Sequence, residues 1–129
     1  MEIQPVANLQ DRIVQRLAGA IKQRWDFFVV NFEWEIIEGE QTRDMLAICF
    51  EKHDSDWKRS QFEVPYECSN LLFQLSQMML RPGCETCGTC TVEVEAGGKY
   101  RFSFSYDQPL RLNGNFDEKS HRIYVALTL

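Results

Sequence analysis

The chain has 129 residues, of which 44% are hydrophobic, and a formal net charge of −5, so we expect a single domain over residues 1–129. The charge argues against nucleic acid, whose phosphates need a basic stripe, and no apolar run is long enough to span a membrane. Five cysteines cannot all pair and the N-terminus lacks a signal-peptide pattern, which predicts a cytoplasmic protein.

The negative charge is concentrated in one part of the chain. Residues 27–56 contain eight acidic and two basic side chains, a net charge of −6, whereas the segments before and after are close to neutral. A surface of one sign attracts a partner of the opposite sign. The pattern therefore favours a basic protein partner, with a solvated face that keeps the protein in solution as the alternative.

The first half of the chain predicts one helix followed by three strands. Apolar residues at three- and four-residue steps indicate an amphipathic helix over residues 5–25. From Phe27 the apolar period changes to two, which predicts a strand with one buried face and with Glu33 and Glu35 on the other face. A turn at 38–42, a strand over 45–51, a turn at 53–56 and a third strand over 57–64 follow.

The second half predicts a helix and a hairpin. Pro65 suits the first turn of a helix, and helical spacing continues to about residue 80. Residues 89–95 and 99–106 alternate strictly around Ala96-Gly97-Gly98. A three-residue loop there pairs Val92 with Phe102 and Glu93 with Arg101. A two-residue turn would instead place glutamates opposite aromatic rings, so we predict the three-residue loop.

The end of the chain is predicted to contain a loop and a last strand. Pro109 ends the hairpin, residues 110–118 read as an ordered loop, and residues 121–129 as a strand, with a short helix at 117–125 as the alternative. Hairpin-connected strands favour an α+β fold. We expect a mostly antiparallel sheet of about five to six strands with an N-terminal and a central helix packed on one face.

Cys84, Cys87 and Cys90 have a spacing with which thiolates bind zinc or part of an iron–sulfur cluster. The possible further ligands are Cys49, Cys68, His53 and His121. None of these is adjacent to the triplet in sequence, and the predicted hairpin turns Cys90 inward beside Phe104. We therefore expect structural thiols and no cofactor, with a metal site or a redox role as alternatives.

The sequence offers no combination of residues typical of a catalytic site. A cysteine nucleophile needs a base within reach, and both histidines lie in polar turns. Glu33 and Glu35 share one face of a strand, which suits acid–base chemistry or Mg²⁺ binding, but no convergent polar groups accompany them. A polar sheet face is the favoured interpretation, and such a face can itself serve as an interface. We predict that the protein is not an enzyme.

A family resemblance supports a binding role. An amphipathic helix that ends at Trp25 leads into a strand with Glu33-Trp34-Glu35, and after a mid-chain helix a hairpin ends with the residues from Gly98 to Asp107. Over about residues 10–107 this pattern resembles the YezG-like family of bacterial immunity proteins and, more loosely, the immunity proteins of contact-dependent growth inhibition. The resemblance implies a small, cytosolic, non-enzymatic protein whose acidic surface neutralises a basic toxin, often a nuclease.

The leading hypothesis is therefore an inhibitor that binds a cognate toxin and covers its active site or substrate groove. The predicted contact residues are six carboxylates and one aromatic anchor: Glu33, Glu35, Glu38, Glu40, Asp54, Asp56 and Trp57. The alternatives are a metal- or thiol-dependent regulator that uses Cys84, Cys87 and Cys90, and a generic adaptor domain.

Overall fold

The computed structural model of the protein describes residues 3–114. Within that range the elements are α1 (Ile3–Ala20), β1 (Phe27–Ile37), β2 (Glu40–His53), β3 (Asp56–Gln61), α2 (Tyr66–Met78), β4 (Cys87–Glu95), β5 (Tyr100–Ser105) and a 3₁₀ turn at Arg111–Asn113. The predicted strand over 121–129, its helical alternative at 117–125 and His121 lie outside the described residues.

The five strands form one sheet with the order β3-β2-β1-β4-β5. All four neighbouring pairs are antiparallel. The two helices pack against the sheet and against each other. The predicted α+β fold with an N-terminal and a central helix is confirmed.

The main core lies between the helices and one face of the sheet, which we call the helix face. Alternate residues of β1, from Phe28 to Trp34, point to this face and are buried. They meet the apolar stripe of α1, which includes Ile13 and Leu17, and the buried leucines of α2. Burial of each such side chain contributes roughly 1.5–3 kcal/mol, so this layer is the main source of stability.

The opposite side of the sheet, which we call the second face, carries a smaller apolar cluster. Val29 and Phe50 are buried there, with Phe27, Leu46 and Ile48 packed against them. The expectation that β1 buries only one face is wrong, because Val29 and Glu33 on the second face are also buried.

Predicted boundaries differ from the structure most at three places. Helix α1 ends at Ala20, not near 25, and Trp25 instead packs edge-on against Phe28 with ring centroids 5.0 Å apart. Strand β2 begins at Glu40, five residues earlier than predicted, because the turn is shorter. Strand β3 ends at Gln61 and not at 64.

The hairpin β4–β5 has the predicted register. Val92 pairs with Phe102 and Glu93 with Arg101. Gly98 has a φ of 104°, and its N–H donates to the Glu95 carbonyl at 2.9 Å, so the three-residue loop uses a backbone conformation that favours glycine. The predicted central helix is also confirmed, with Pro65 as its N-cap residue.

No helix among residues 3–114 combines the length and the apolar character that crossing a membrane requires.

Candidate functional site

The structure does not bring the six predicted carboxylates onto one surface. Glu38 and Glu40 lie at the β1–β2 connection, and Asp54 and Asp56 lie at the β2–β3 connection. Strand β2 joins the two connections with 14 residues, which at about 3.3 Å per residue separates them by about 40 Å. The single acidic surface predicted from the sequence is therefore wrong, and the two ends of β2 are separate sites.

Glu33 is not available for a partner, because its residue exposure is only 3%. Its carboxylate accepts hydrogen bonds from the backbone N–H groups of Arg111 and Leu112, at 3.2 and 3.0 Å. The prediction that Glu33 is a contact acid is wrong. Its position on the second face of β1 makes it an internal cap for the 3₁₀ turn.

Arg111 is the central residue of a buried polar cluster that the sequence did not reveal. Its guanidinium donates to Asp44 Oδ2 at 2.6 Å, to Asn31 Oδ1 at 2.6 Å and to the Asn31 carbonyl at 3.0 Å. It also lies 3.5 Å from Glu33 Oε2. These bonds attach the segment after β5 to the second face of β1 and β2, so one cation binds two carboxylates internally.

The β1–β2 turn carries the acidic side chains that remain available. We call the residues from Glu35 to Glu40 the acidic tip. Glu38 and Glu40 are exposed, Glu35 is partly exposed, and Ile37 between them is 58% exposed. Glu38 and Gly39 have φ values of 53° and 83°, the conformation of a tight type I′ hairpin turn.

Further carboxylates lie beside the acidic tip. The Ile36 N–H donates to the Thr86 carbonyl at 2.7 Å, which places the loop containing Glu85 next to the tip. Glu35 pairs in register with Cys87, whose thiol contacts the carbonyl of Asp107. The tip therefore presents an exposed apolar side chain within a rim of carboxylates.

The nearest cation of β2 does not neutralise the tip. Arg43 donates to Gln41, to Ser69 Oγ at 3.1 Å and to Asn70 Oδ1 at 2.8 Å. Its guanidinium carbon also lies 4.6 Å from the centroid of the Phe73 ring. Within residues 3–114, the ion pairs of the protein do not involve Glu35, Glu38 or Glu40.

The other end of β2 has mixed charge. Asp54 and Asp56 are exposed but share their hairpin with basic residues of β2 and β3: Lys52, Lys58 and Arg59. Trp57, the predicted anchor, is 38% exposed and packs edge-on against Phe50, with centroids 6.5 Å apart. Its ring therefore partly covers the apolar cluster of the second face, and this end does not form a surface of one sign.

The three clustered cysteines do not converge. Cys87 and Cys90 are three residues apart on β4, so their side chains point to opposite faces of the sheet. Burial raises the pKa of the Cys90 thiol to about 12. Burial first, and then the negative charges of Glu35, Cys84 and Asp107, raise the pKa of the Cys87 thiol. Thiols with raised pKa values are poor nucleophiles at neutral pH.

Within residues 3–114, no group of three or more histidine, cysteine or acidic side chains is arranged to hold a metal ion. His53 lies 3.2 Å from a Glu51 carboxylate oxygen in the exposed β2–β3 hairpin, far from the cysteine triplet. The predicted alternative ligands Cys49 and Cys68 are buried on the helix face.

Compared with the sequence of the chain, neither family models nor curated proteins give a match.

Proposed function

We propose that the protein is a binding protein of the immunity type, which neutralises a basic toxin domain inside the cell by docking with its acidic tip. The observation that carries the proposal is the exposed Ile37 within the carboxylates of the tip. An apolar side chain surrounded by charged groups is the usual composition of a small contact site. Carboxylates that form no ion pair among residues 3–114 attract a basic partner and orient it before contact.

Two further features support the proposal, the first its binding role and the second its location inside the cell. The Glu38 side chain is carried at a φ of 53°, a backbone conformation that is unfavourable for residues other than glycine, asparagine and aspartate. Such conformations are concentrated at functional positions. The five cysteines are free thiols, as expected for a protein that works in a reducing compartment.

The toxin-like product of a neighbouring gene is the partner to test. The double variant Glu38→Lys and Glu40→Lys should weaken its binding by about 100-fold or more, since the reversal places like charges against a basic partner and such contacts cost several kcal/mol. The matched control is Asp54→Lys with Asp56→Lys, which makes the same charge change at the other end of β2. Titration calorimetry should show less than about a threefold change for the control, because those residues lie outside the contact site.

Growth protection provides the second measurement. Cells that express the toxin should survive with the wild-type protein and with the control variant, and should die with the tip variant. Equal losses of affinity in the two double variants would contradict docking through the acidic tip. Absence of protection and of binding with every neighbouring gene product would contradict the proposed function itself.

A further inference from the structure

Strand β3 covers only part of the outer edge of β2. Strand β2 has 14 residues and β3 has six. Their pairing runs from Ile48 to His53 of β2. Among the described residues, no strand pairs with the outer edge of β2 from Gln41 to Met45. An unpaired edge presents backbone donors and acceptors to any extended chain that reaches it.

The hydrogen-bond pattern identifies which backbone groups are available. The Asp26 N–H donates to the Phe50 carbonyl at 2.8 Å, so the even-numbered residues of β2 face the side where β1 lies. The Phe62 N–H donates to the Ala47 carbonyl at 3.2 Å, so the odd-numbered residues face the side of β3. Because strand residues alternate, the N–H and C=O groups of Arg43 and Met45 point away from β1.

Beside this edge lies a cavity of about 380 Å³. Its walls are β2 from Arg43 to Ala47, the segment from Gln61 to Val64 and Ser69 of α2. The segment after β3 leaves the sheet towards α2 and does not continue along β2. The opening is therefore bounded by a strand edge on one side and by a separate segment on the other, as a short extended peptide requires.

The charges around the edge favour a basic occupant. The edge begins at Glu40 of the acidic tip, and Glu63 on the opposite wall is exposed. Asp44, with 43% of its side chain exposed, shares Arg111 with Glu33. Arg43 of the same edge is directed to Ser69 and Asn70 of α2, so among the described residues four carboxylates stand against two cations around the edge. The outer edge of β3, in contrast, carries the exposed cations Lys58 and Arg59, which disfavour a basic strand there.

We propose that the β2 edge from Gln41 to Met45 accepts an extended, lysine- or arginine-rich segment of a partner protein as an additional strand. Backbone hydrogen bonds would supply the affinity and the surrounding carboxylates would select the basic segment. The inference rests on the proposed function only in assigning that segment to a toxin. The edge itself is tested without the toxin.

The probe is an acetylated, amidated hexapeptide of alternating lysine and valine, titrated into ¹⁵N-labelled full-length protein. The amide signals of Arg43 and Met45 should shift on binding, and those of β3 should not. The same peptide with glutamate in place of lysine should cause no shift at the edge. Shifts centred on β3, equal binding of the two peptides, or no shift at millimolar lysine peptide would each overturn the proposal.

The variant Met45→Pro removes an outward N–H without removing a hydrogen bond to β1, a position at which an edge strand tolerates proline. It should weaken the lysine peptide about tenfold, as loss of roughly one backbone hydrogen bond predicts. The matched control, Arg59→Pro, removes an outward N–H from β3 and should leave the affinity unchanged. If Met45→Pro does not fold, the amide shifts that the two peptides cause in the wild-type protein test the proposal by themselves.

The two proposals fail in different ways. Peptide binding at the β2 edge without any toxin that the protein neutralises would remove the proposed function and leave the inference standing. Toxin binding that is lost in the tip variant but is insensitive to Met45→Pro, together with absence of peptide shifts, would remove the inference and leave the proposed function.

Discussion

Replacement of Arg111 by methionine tests the buried polar cluster. Methionine keeps an unbranched side chain of similar reach but removes the guanidinium, which leaves the buried Glu33 carboxylate without its cation. Removal of one partner from a buried ion pair costs about 3–5 kcal/mol. For a chain of 129 residues, about 1 kcal/mol corresponds to about 4 °C in Tm. We therefore expect Tm to fall by about 12–20 °C.

Two control variants separate burial from charge pairing. Arg101→Met breaks the Arg101–Glu93 pair, whose arginine side chain is 73% exposed, and should cost less than about 1 kcal/mol because exposed pairs contribute little. Asp44→Asn should cost about 1 kcal/mol, because Asp44 is partly hydrated and Glu33 still binds Arg111. Urea unfolding at neutral pH measures all three. Equal losses for Arg111→Met and Arg101→Met would refute the argument that burial makes the cluster important.

Three further predictions concern other parts of the structure and are tested by urea unfolding. Gly88→Ala should destabilise the protein by about 1–3 kcal/mol, because the added Cβ would lie 3.0 Å from Trp34 Nε1. The control Gly97→Ala should not destabilise it, because no atom lies within 4 Å of the added Cβ. Equal effects of the two variants would contradict this packing. Glu38→Asn should stabilise by about 0.5–1 kcal/mol, since asparagine tolerates a positive φ, and a loss of stability would contradict the turn geometry. The Cys90 thiol has a pKa of about 12 when folded against 9.0 in a model compound, so the folded state keeps a proton that the unfolded chain loses between these values. The contribution of this proton to stability is complete below about pH 9 and falls by up to about 1.4 kcal/mol per pH unit above it. Between about pH 8 and about pH 10.5, Cys90→Ala should therefore lose less stability than the wild-type protein. An equal loss in the two proteins would contradict the assignment to Cys90.

The fold was predictable wherever local pattern and burial agree. The β4–β5 register followed from cross-strand pairs such as Glu93 with Arg101, and Pro65 marked the start of α2. The turn at Glu38 was not predictable in the same way, because glutamate gives no signal for a positive φ.

The candidate site was harder to predict because net charge along a segment does not define a surface. The partners of Arg111 lie 67 to 80 residues away in sequence, and they meet it only after the sheet has formed. The same sheet buries Glu33 and moves Asp54 to the far end of β2. Alternation predicted which face each residue occupies, but not that a later segment would cover part of the second face.

Strand β2 is longer than β3, so the part of its outer edge that no strand within residues 3–114 covers starts at Gln41, directly after Glu40. The acidic tip and this edge are therefore neighbours. The two features should act on different steps of one binding event. Charges at the rim of a contact change mainly the association rate and its salt dependence, whereas buried backbone hydrogen bonds change mainly the dissociation rate. A variant that removes only the tip charges should therefore slow association most at low salt. Met45→Pro should leave association nearly unchanged and speed dissociation, and stopped-flow measurements with the toxin partner distinguish the two. If both variants changed the same rate constant, the tip and the edge would belong to a single contact and not to successive steps.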